Sequence, residues 1–382
     1  MISDKDKLGK IAFQNGFNRD TYEKMCRLSE VLSVFSQDDL LSEVLALKGG
    51  TAINLAFLQV PRLSVDIDLD VTKNISREQI LVLREQVAER VQKYMKELGY
   101  ELNDKHSKNV HALHSMVFSY TNLGGNMDNL KVEINYMLRE HILALEKCQI
   151  HCLEEFVPSA PLCVNPIEIY AAKVVALTNR AAARDLYDVD NMIQAKLFNS
   201  EEQALLRKCA IVYGVLNSDI PFQKFDTARM MREITMNKIK QALFPVIKKS
   251  GTKNSFDENK KRVASFIDTQ LQMTEKEKQF VEKFFQGTLE PKLLFDDDEI
   301  VKRINEHPMI RWKLQKVKEA MLVRKEVTGE QLEAIKEQGI KVEWARNKEK
   351  ADVFCIRYDS SLGKEIEECL KAIEKKHGKA LK

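Results

Sequence analysis

Several things are missing from this sequence. No apolar run approaches the length of a membrane span, and the opening residues MISDKDKLGK are too polar for a secretory signal. Neither sign of charge dominates: 60 Lys and Arg stand against 57 Asp and Glu, a net charge of +3. A nucleic-acid partner would therefore have to be met by local basic patches. The seven cysteines are scattered and odd in number, which argues against a disulfide framework and suits reduced thiols in a cytoplasm. Cys148, His151 and Cys152 in KCQIHCLEE invite a zinc reading, but no second ligand pair lies nearby. His111 and His114 of HALH are expected on a strand surface. No internal repeat or low-complexity tract is present. What remains is an ordinary soluble composition, 44% hydrophobic and 31% charged, at a length of 382 residues that predicts two or three domains.

The first 46 residues read as helices, with Tyr22, Met25, Leu28, Val31 and Leu32 spaced for one face. VLALKGG reads as a strand entering a tight turn, and TAINLAFLQ as a short helix stopped by Pro61. SREQILVLREQVAERVQKYMKELG is the clearest helix, capped by Ser76 and closed by Gly99. HALHSMVFSYTNL and NLKVEINYM are strands joined through the turn residues GGNMDN. These elements predict a small sheet domain with N-terminal helices over residues 1–150 and a helical domain over 151–290. The remainder, 291–382, differs in character: DDDE at 296–299 reads as a solvated break, KADVFCIRYD as a strand and KEIEECLKAIEKKHG as a helix.

Between the first two of these elements and the long helix lies SVDIDLDV, in which Asp66, Asp68 and Asp70 alternate with apolar residues at strand period. Side chains i, i+2 and i+4 of a strand share a face, so three carboxylates crowd together unless water or a cation separates them. Glu133 alternates in the same way with Val132 and Ile134 on another strand. Two carboxylates on one strand and a third on a neighbour suit a hard divalent ion whose shell is completed by nucleotide phosphates. Gly49, Gly50 and Thr51 stand at a helix start, where backbone N–H groups and helix polarity favour an anion, and fourteen residues separate Thr51 from Asp66.

GGT…RLSVDIDLD resembles the opening motif of the DNA polymerase β-like nucleotidyltransferases, and GGTAINL…RLSVDIDLD is most similar to the AbiEii family. That family is the toxin half of bacterial type IV toxin–antitoxin and abortive-infection systems, the MenT toxins included. KVVALTNRAAARDLYDVDNM, residues 173–192, is similar to its Lys-x6-Arg-x3-Arg-Asp-x2-Asp motif. The resemblance implies an α+β fold: a polymerase β-like domain, with a small mixed sheet flanked by helices, then a helical domain completing the active site and a small C-terminal α/β module. It implies Asp66, Asp68 and Glu133 as metal ligands, Lys173 and Asp188 as the basic and acidic catalytic residues, and Gly49, Gly50, Thr51, Ser64, Lys173, Arg180 and Arg184 as nucleotide-binding. It further implies magnesium, with manganese as the alternative, a nucleoside triphosphate substrate, the 3′ end of a tRNA as acceptor, an AbiEi-like antitoxin encoded nearby, a cytoplasmic location and no membrane partner.

On a continuous helix Lys173, Arg180, Arg184 and Asp188 would share one face, yet fifteen residues span about 22 Å. Lys173 and Asp188 could not then touch one substrate atom. A break near Asn179–Ala183, with Asp185 capping the second helix and Arg184 turned toward phosphate, is the expectation; the alternative is an i, i+4 ladder on a wet surface. Basic segments at Arg229, Arg232, Lys238, Lys240, Lys248 and Lys249, and then at Arg311, Lys313, Lys316 and Lys318, could follow an RNA backbone, or form ordinary solvated helix faces. Two other functions stay open: a nucleotidyltransferase acting on a small molecule or protein, and a non-catalytic nucleotide-binding regulator.

Overall fold

The computed structural model describes residues 4–151, 153–250, 255–346, 352–359 and 362–380. The chain divides into two compact units, residues 1–284 with 289–311, and residues 285–288 with 312–382. The fold is α+β, as expected.

The larger unit starts with α1 (Lys5–Gln14), α2 (Arg19–Gln37) and α3 (Asp39–Val44), and the α2 residues Tyr22, Met25, Leu28, Val31 and Leu32 are all buried. Then come β1 (Leu45–Leu47), a short helix α4 (Gly49–Ala52) that continues as one π turn to Phe57, and β2 (Asp66–Val71). Helix α5 (Arg77–Glu97) opens on a capping box in which Ser76 and Gln79 satisfy each other's backbone N–H groups. The strands β3 (Glu101–Leu102), β4 (Lys108–Val110), β5 (Leu113–Thr121), β6 (Met127–Asn135), β7 (Glu146–Lys147) and β8 (Leu162–Cys163) complete a mixed sheet of order β3-β5-β6-β2-β1-β8-β7, with β4 also pairing β5. Here β2 runs antiparallel to β1 and parallel to β6, which places it at the centre of the sheet. His114 is buried, against the expectation of a surface position, because β5 is flanked by β4 on one side and β6 on the other.

Helices α6 (Pro166–Arg180), α7 (Ala183–Gln194), α8 (Ser200–Asn217), α9 (Ala228–Glu233), α10 (Met236–Ala242), α11 (Phe256–Gln270), α12 (Glu275–Phe285) and α13 (Asp298–Glu306) follow. The acidic tract at 296–299 starts α13 instead of breaking the chain. Asp297 accepts from the N–H groups of Glu299 and Ile300 at 2.9 and 3.0 Å, and Asp298 and Glu299 lie in the first turn, where helix polarity favours carboxylates.

After α14 (Pro308–Met321), the smaller unit folds β9 (Leu322–Thr328), α15 (Gly329–Glu337), β10 (Glu343–Arg346), β11 (Val353–Asp359) and α16 (Gly363–Ala380). Its antiparallel sheet has the order β10-β11-β9, and Val327, Leu332, Ile335, Ile356, Tyr358, Ile366 and Leu370 form a core of its own.

Candidate active site

The three aspartates of β2 meet different fates. Ile67 and Leu69 are buried between them, so the carboxylates project from the opposite side of the strand. Asp66 and Asp68 are partly exposed, whereas Asp70 is buried and ion-paired to Lys48 at 2.6 Å. The parallel register with β6 sets Asp66 beside Lys131 and Asp68 beside Glu133, so the third carboxylate comes from the adjacent strand. Lys131 Nζ lies 2.9 Å from Glu133 Oε2, a cation already among these acids. Burial raises the pKa of Asp68, Lys48 opposes that shift, and the charges of Asp66 and Glu133 add to it.

Gly49 has φ +67° and packs directly on this group. A Cβ there would stand 2.5 Å from Asp68 Oδ2. Gly49→Ala combines backbone strain with a clash on a carboxylate, so it should destabilise the fold by about 1–3 kcal/mol and cut nucleotidyl transfer at least about tenfold. Thermal melts and turnover assays check this; an alanine variant with wild-type activity would show that Asp68 need not hold its place. A Cβ on Gly50 would stand 2.4 Å from Arg62 Nη2. Thr51 and Ser64 are buried, and the Thr51 hydroxyl donates to the Asp66 carbonyl and accepts from Ser64 Oγ at 2.9 Å, so the pair braces the turn against β2.

On the helical side the chain does break where expected. Ala181 adopts φ +50°, α6 ends at Arg180 and α7 starts at Ala183. The fold-back brings Lys173 Nζ within 2.9 Å of Asp188 Oδ2 and 2.8 Å of Asp185 Oδ1. Asp185 does not cap α7: the cap residue is Ala182, which has no side-chain bond, and the Asp185 carboxylate takes Lys173 and Arg180 instead. Two cations hold a buried carboxylate more strongly than a neutral backbone N–H does. Arg184 donates its Nε to the Ala242 carbonyl at 2.9 Å.

Behind this cluster Arg62 grips Asp188 with both ends of its guanidinium, Nε to Oδ1 and Nη2 to Oδ2, each at 2.7 Å. Burial works against the charge of Asp188, but Arg62 and Lys173 overcome it and hold its pKa at about 2. Arg62, Lys173 and Arg180 pair with Asp185 and Asp188, while Arg180 and Arg184 also lie within the fields of Asp68 and Asp66 respectively.

Between the two sides lies a pocket of about 220 Å³. Lys48, Gly49, Gly50, Asp68, Asp70, Glu168, Lys173, Arg180 and Tyr213 supply its polar lining, and Leu138, Val164, Ile169, Ala172 and Ala176 an apolar wall. Of the residues expected from sequence, Asp66, Glu133, Thr51, Ser64, Arg184 and Asp188 do not line this pocket; they stand beside or behind those that do. Sequence reasoning missed Lys48 and Arg62, and it gave Asp185 a capping role in place of its ion pairs. Lys48 adjoins the Gly-Gly turn and Arg62 lies four residues before Asp66, so both fall in or next to the motif segments. Only the fold shows that their charges converge on Asp70 and Asp188.

Among the described residues no group of three or more His, Cys, Asp or Glu side chains is placed to hold a metal ion, so Asp66, Asp68 and Glu133 do not by themselves form a ligand set. An open set of hard carboxylate oxygens, with room for phosphate oxygens and water, fits a magnesium-like ion, which is seldom held by protein ligands alone. Cys152 of the zinc-like cluster lies outside the described residues, and His151 is exposed.

A pocket lined by the carboxylates of Asp68 and Asp70 and by the cations of Lys48, Lys173 and Arg180 suits an enzyme that holds a triphosphate while its α-phosphorus is attacked: a nucleotidyltransferase. The chain belongs to the AbiEii family, the nucleotidyl transferase AbiEii toxins of type IV toxin–antitoxin systems, whose profile it matches over residues 31–299. Its fold is similar to that of MenT4, a nucleotidyltransferase toxin from Mycobacterium tuberculosis H37Rv, with a TM-score of 0.53 and 15% identity over 82% of this chain and 99% of that one. No curated protein sequence gives a significant match. No described helix is long and apolar enough to cross a membrane.

Proposed function

We propose that this toxin transfers a nucleoside monophosphate from a nucleoside triphosphate to the 3′ end of tRNA, with magnesium as the physiological ion, and so blocks translation and growth as a defence against phage. In this reading residues 1–150 form the nucleotidyltransferase domain and 151–290 complete its site, and the C-terminal module expected over 291–382 is the smaller unit, which takes up the chain from residue 312. An AbiEi-like antitoxin restrains it in the cytoplasm. The observation that carries the chemistry is the register of β2 on β6, which sets Glu133 beside Asp68 at the edge of a pocket whose far side holds Lys173 and Arg180.

Asp66, Asp68 and Glu133 are the residues that would hold the ion, and when bound it would offset the charge of the phosphates. The first-turn N–H groups at Gly49 and Gly50 receive phosphate oxygens. Arg180, which is two-thirds exposed, and Lys173 face the same space and stabilise charge as it moves onto the leaving pyrophosphate. Glu133 orients the acceptor hydroxyl. Its oxygen bonds to the α-phosphorus, the bond to pyrophosphate breaks, and the hydroxyl proton passes to the carboxylate or solvent.

An RNA acceptor is supported by the family and by the position of exposed basic residues. Arg232, Lys238 and Lys240 are exposed on α9 and α10, a segment tied to the α6–α7 break by Arg229 donating to the Asn179 carbonyl and Arg184 to Ala242. The test incubates protein, magnesium, each α-³²P nucleotide in turn and total RNA, beside an Asp66→Ala/Asp68→Ala control. Label in a tRNA-sized band with wild type alone supports the proposal and names the nucleotide. Label in protein or small molecules alone overturns the RNA acceptor, and nucleotide binding without any transfer overturns the catalytic reading.

A further inference from the structure

Two lysines line the pocket, and their surroundings differ. Lys173 is wedged between two carboxylates, Asp185 and Asp188. Lys48 has one, Asp70, at 2.6 Å, and its side chain is more exposed, 27% against 12%. An ammonium has three N–H donors. With one directed at Asp70, Lys48 can give two to a phosphate without breaking the contact that holds it. Its backbone is also fixed, since Lys48 N donates to the Asp68 carbonyl at 2.9 Å.

Behind Asp70 stands a buried histidine that contacts it without a hydrogen bond. His141 Nε2 lies 3.8 Å from Asp70 Oδ2, and this buried nitrogen has no hydrogen-bond partner. His141 Nδ1 faces Glu168 Oε1 at 3.1 Å, and Glu168 accepts from Ile142 N at 3.2 Å, Leu143 N at 3.0 Å and the Tyr213 hydroxyl at 2.6 Å. Hydrogen bonds thus link Tyr213 on α8, Glu168 on α6 and the 141–143 segment, and His141 stands against Asp70 without bonding to it; Glu168 and Tyr213 line the same pocket as Lys48.

We infer that Lys48 is a further substrate-binding residue, a cation for the β- and γ-phosphates held in place by Asp70, with His141, Glu168 and Tyr213 as positioning residues behind it. This rests on the nucleotidyltransferase reading of the site. Lys173 then has a different part to play. With Asp185 and Asp188 it holds the α6–α7 fold-back together, and it meets the substrate as a charge already largely neutralised.

The test is equilibrium binding, by calorimetry on the full chain, of inorganic tripolyphosphate, a non-hydrolysable nucleoside triphosphate and the bare nucleoside. Lys48→Met should weaken the two phosphate ligands about tenfold or more and leave the nucleoside unchanged, with Lys48→Arg restoring part of the loss. Because Lys48→Met strands a buried Asp70 charge, Lys48→Met/Asp70→Asn is measured beside it; this variant removes both charges and should show the same selective loss with a normal melting temperature. Tripolyphosphate binding within twofold of wild type in the double variant overturns the inference while leaving the nucleotidyltransferase reading intact. A wild-type protein that binds neither phosphate ligand overturns that reading and the inference with it.

Discussion

Asp68→Asn is expected to lower nucleotidyl transfer by about a thousandfold while leaving the melting temperature unchanged or higher. The two effects have one cause. Asp68 is a partly buried carboxylate beside Asp66 and opposite Glu133, and burial together with those two charges disfavours its ionised form. Lys48 and, more weakly, Lys131 act the other way. Replacing the carboxylate by an isosteric amide relieves repulsion in the free protein and removes the charge proposed above to bind the ion. Function is thus bought against local stability, a trade seen where a site must stay charged to work. A labelled-nucleotide assay and a thermal melt on the same preparation test it. Loss of activity with a melting point several degrees lower would mean that Asp68 holds the fold together, and that its charge is not stored for the ligand.

Arg62→Met should cost stability on the order of 3 kcal/mol, a fall of several degrees in melting temperature, and abolish most activity. Arg62 and Asp188 are both buried, at 2% and 0% exposure, and the guanidinium fork matches the carboxylate at both oxygens. Removing one partner leaves Asp188 buried with Lys173 alone. Arg62→Lys should rescue little, since a point charge cannot replace the fork. The acid limb carries a second readout. Asp188 has a folded pKa of about 2 against an ordinary 3.8, so its contribution is fully present above about pH 4 and is lost as pH falls toward 2. That shift corresponds to about 2 kcal/mol. In Arg62→Met the loss should begin at higher pH. A variant that melts within a degree of wild type, with an unchanged acid limb, would show the pair to be replaceable.

Much of the site was legible because its signals are local. Strand alternation put Asp66 and Asp68 on one face, Gly49 and Gly50 marked the turn, and the 22 Å span of an unbroken helix required a break between Lys173 and Asp188. Where the reading failed, local rules met a stronger tertiary partner. Asp185 stands near a helix start, yet Lys173 and Arg180 take its carboxylate. His114 looked like a surface residue until strands closed on both sides of it. The acidic tract looked like a solvated break although its carboxylates suit the helix start they form.

By itself the sequence determined the helices, strands and turns of the sheet domain, since periodicity and turn chemistry act over a few residues, and the resemblance of its motifs to a known family supplied the α+β class, the family and the candidate site residues. Tertiary structure alone decided the state of each charge. Asp66 and Asp68 stay partly open while Asp70 is closed by Lys48, and Arg62 reaches across 126 residues of chain to hold Asp188. A side chain's charge is felt through whatever surrounds it, and those surroundings come from strands and helices distant in sequence. Burial and pairing, which set whether a carboxylate binds metal or braces the fold, therefore exist only once the chain has folded.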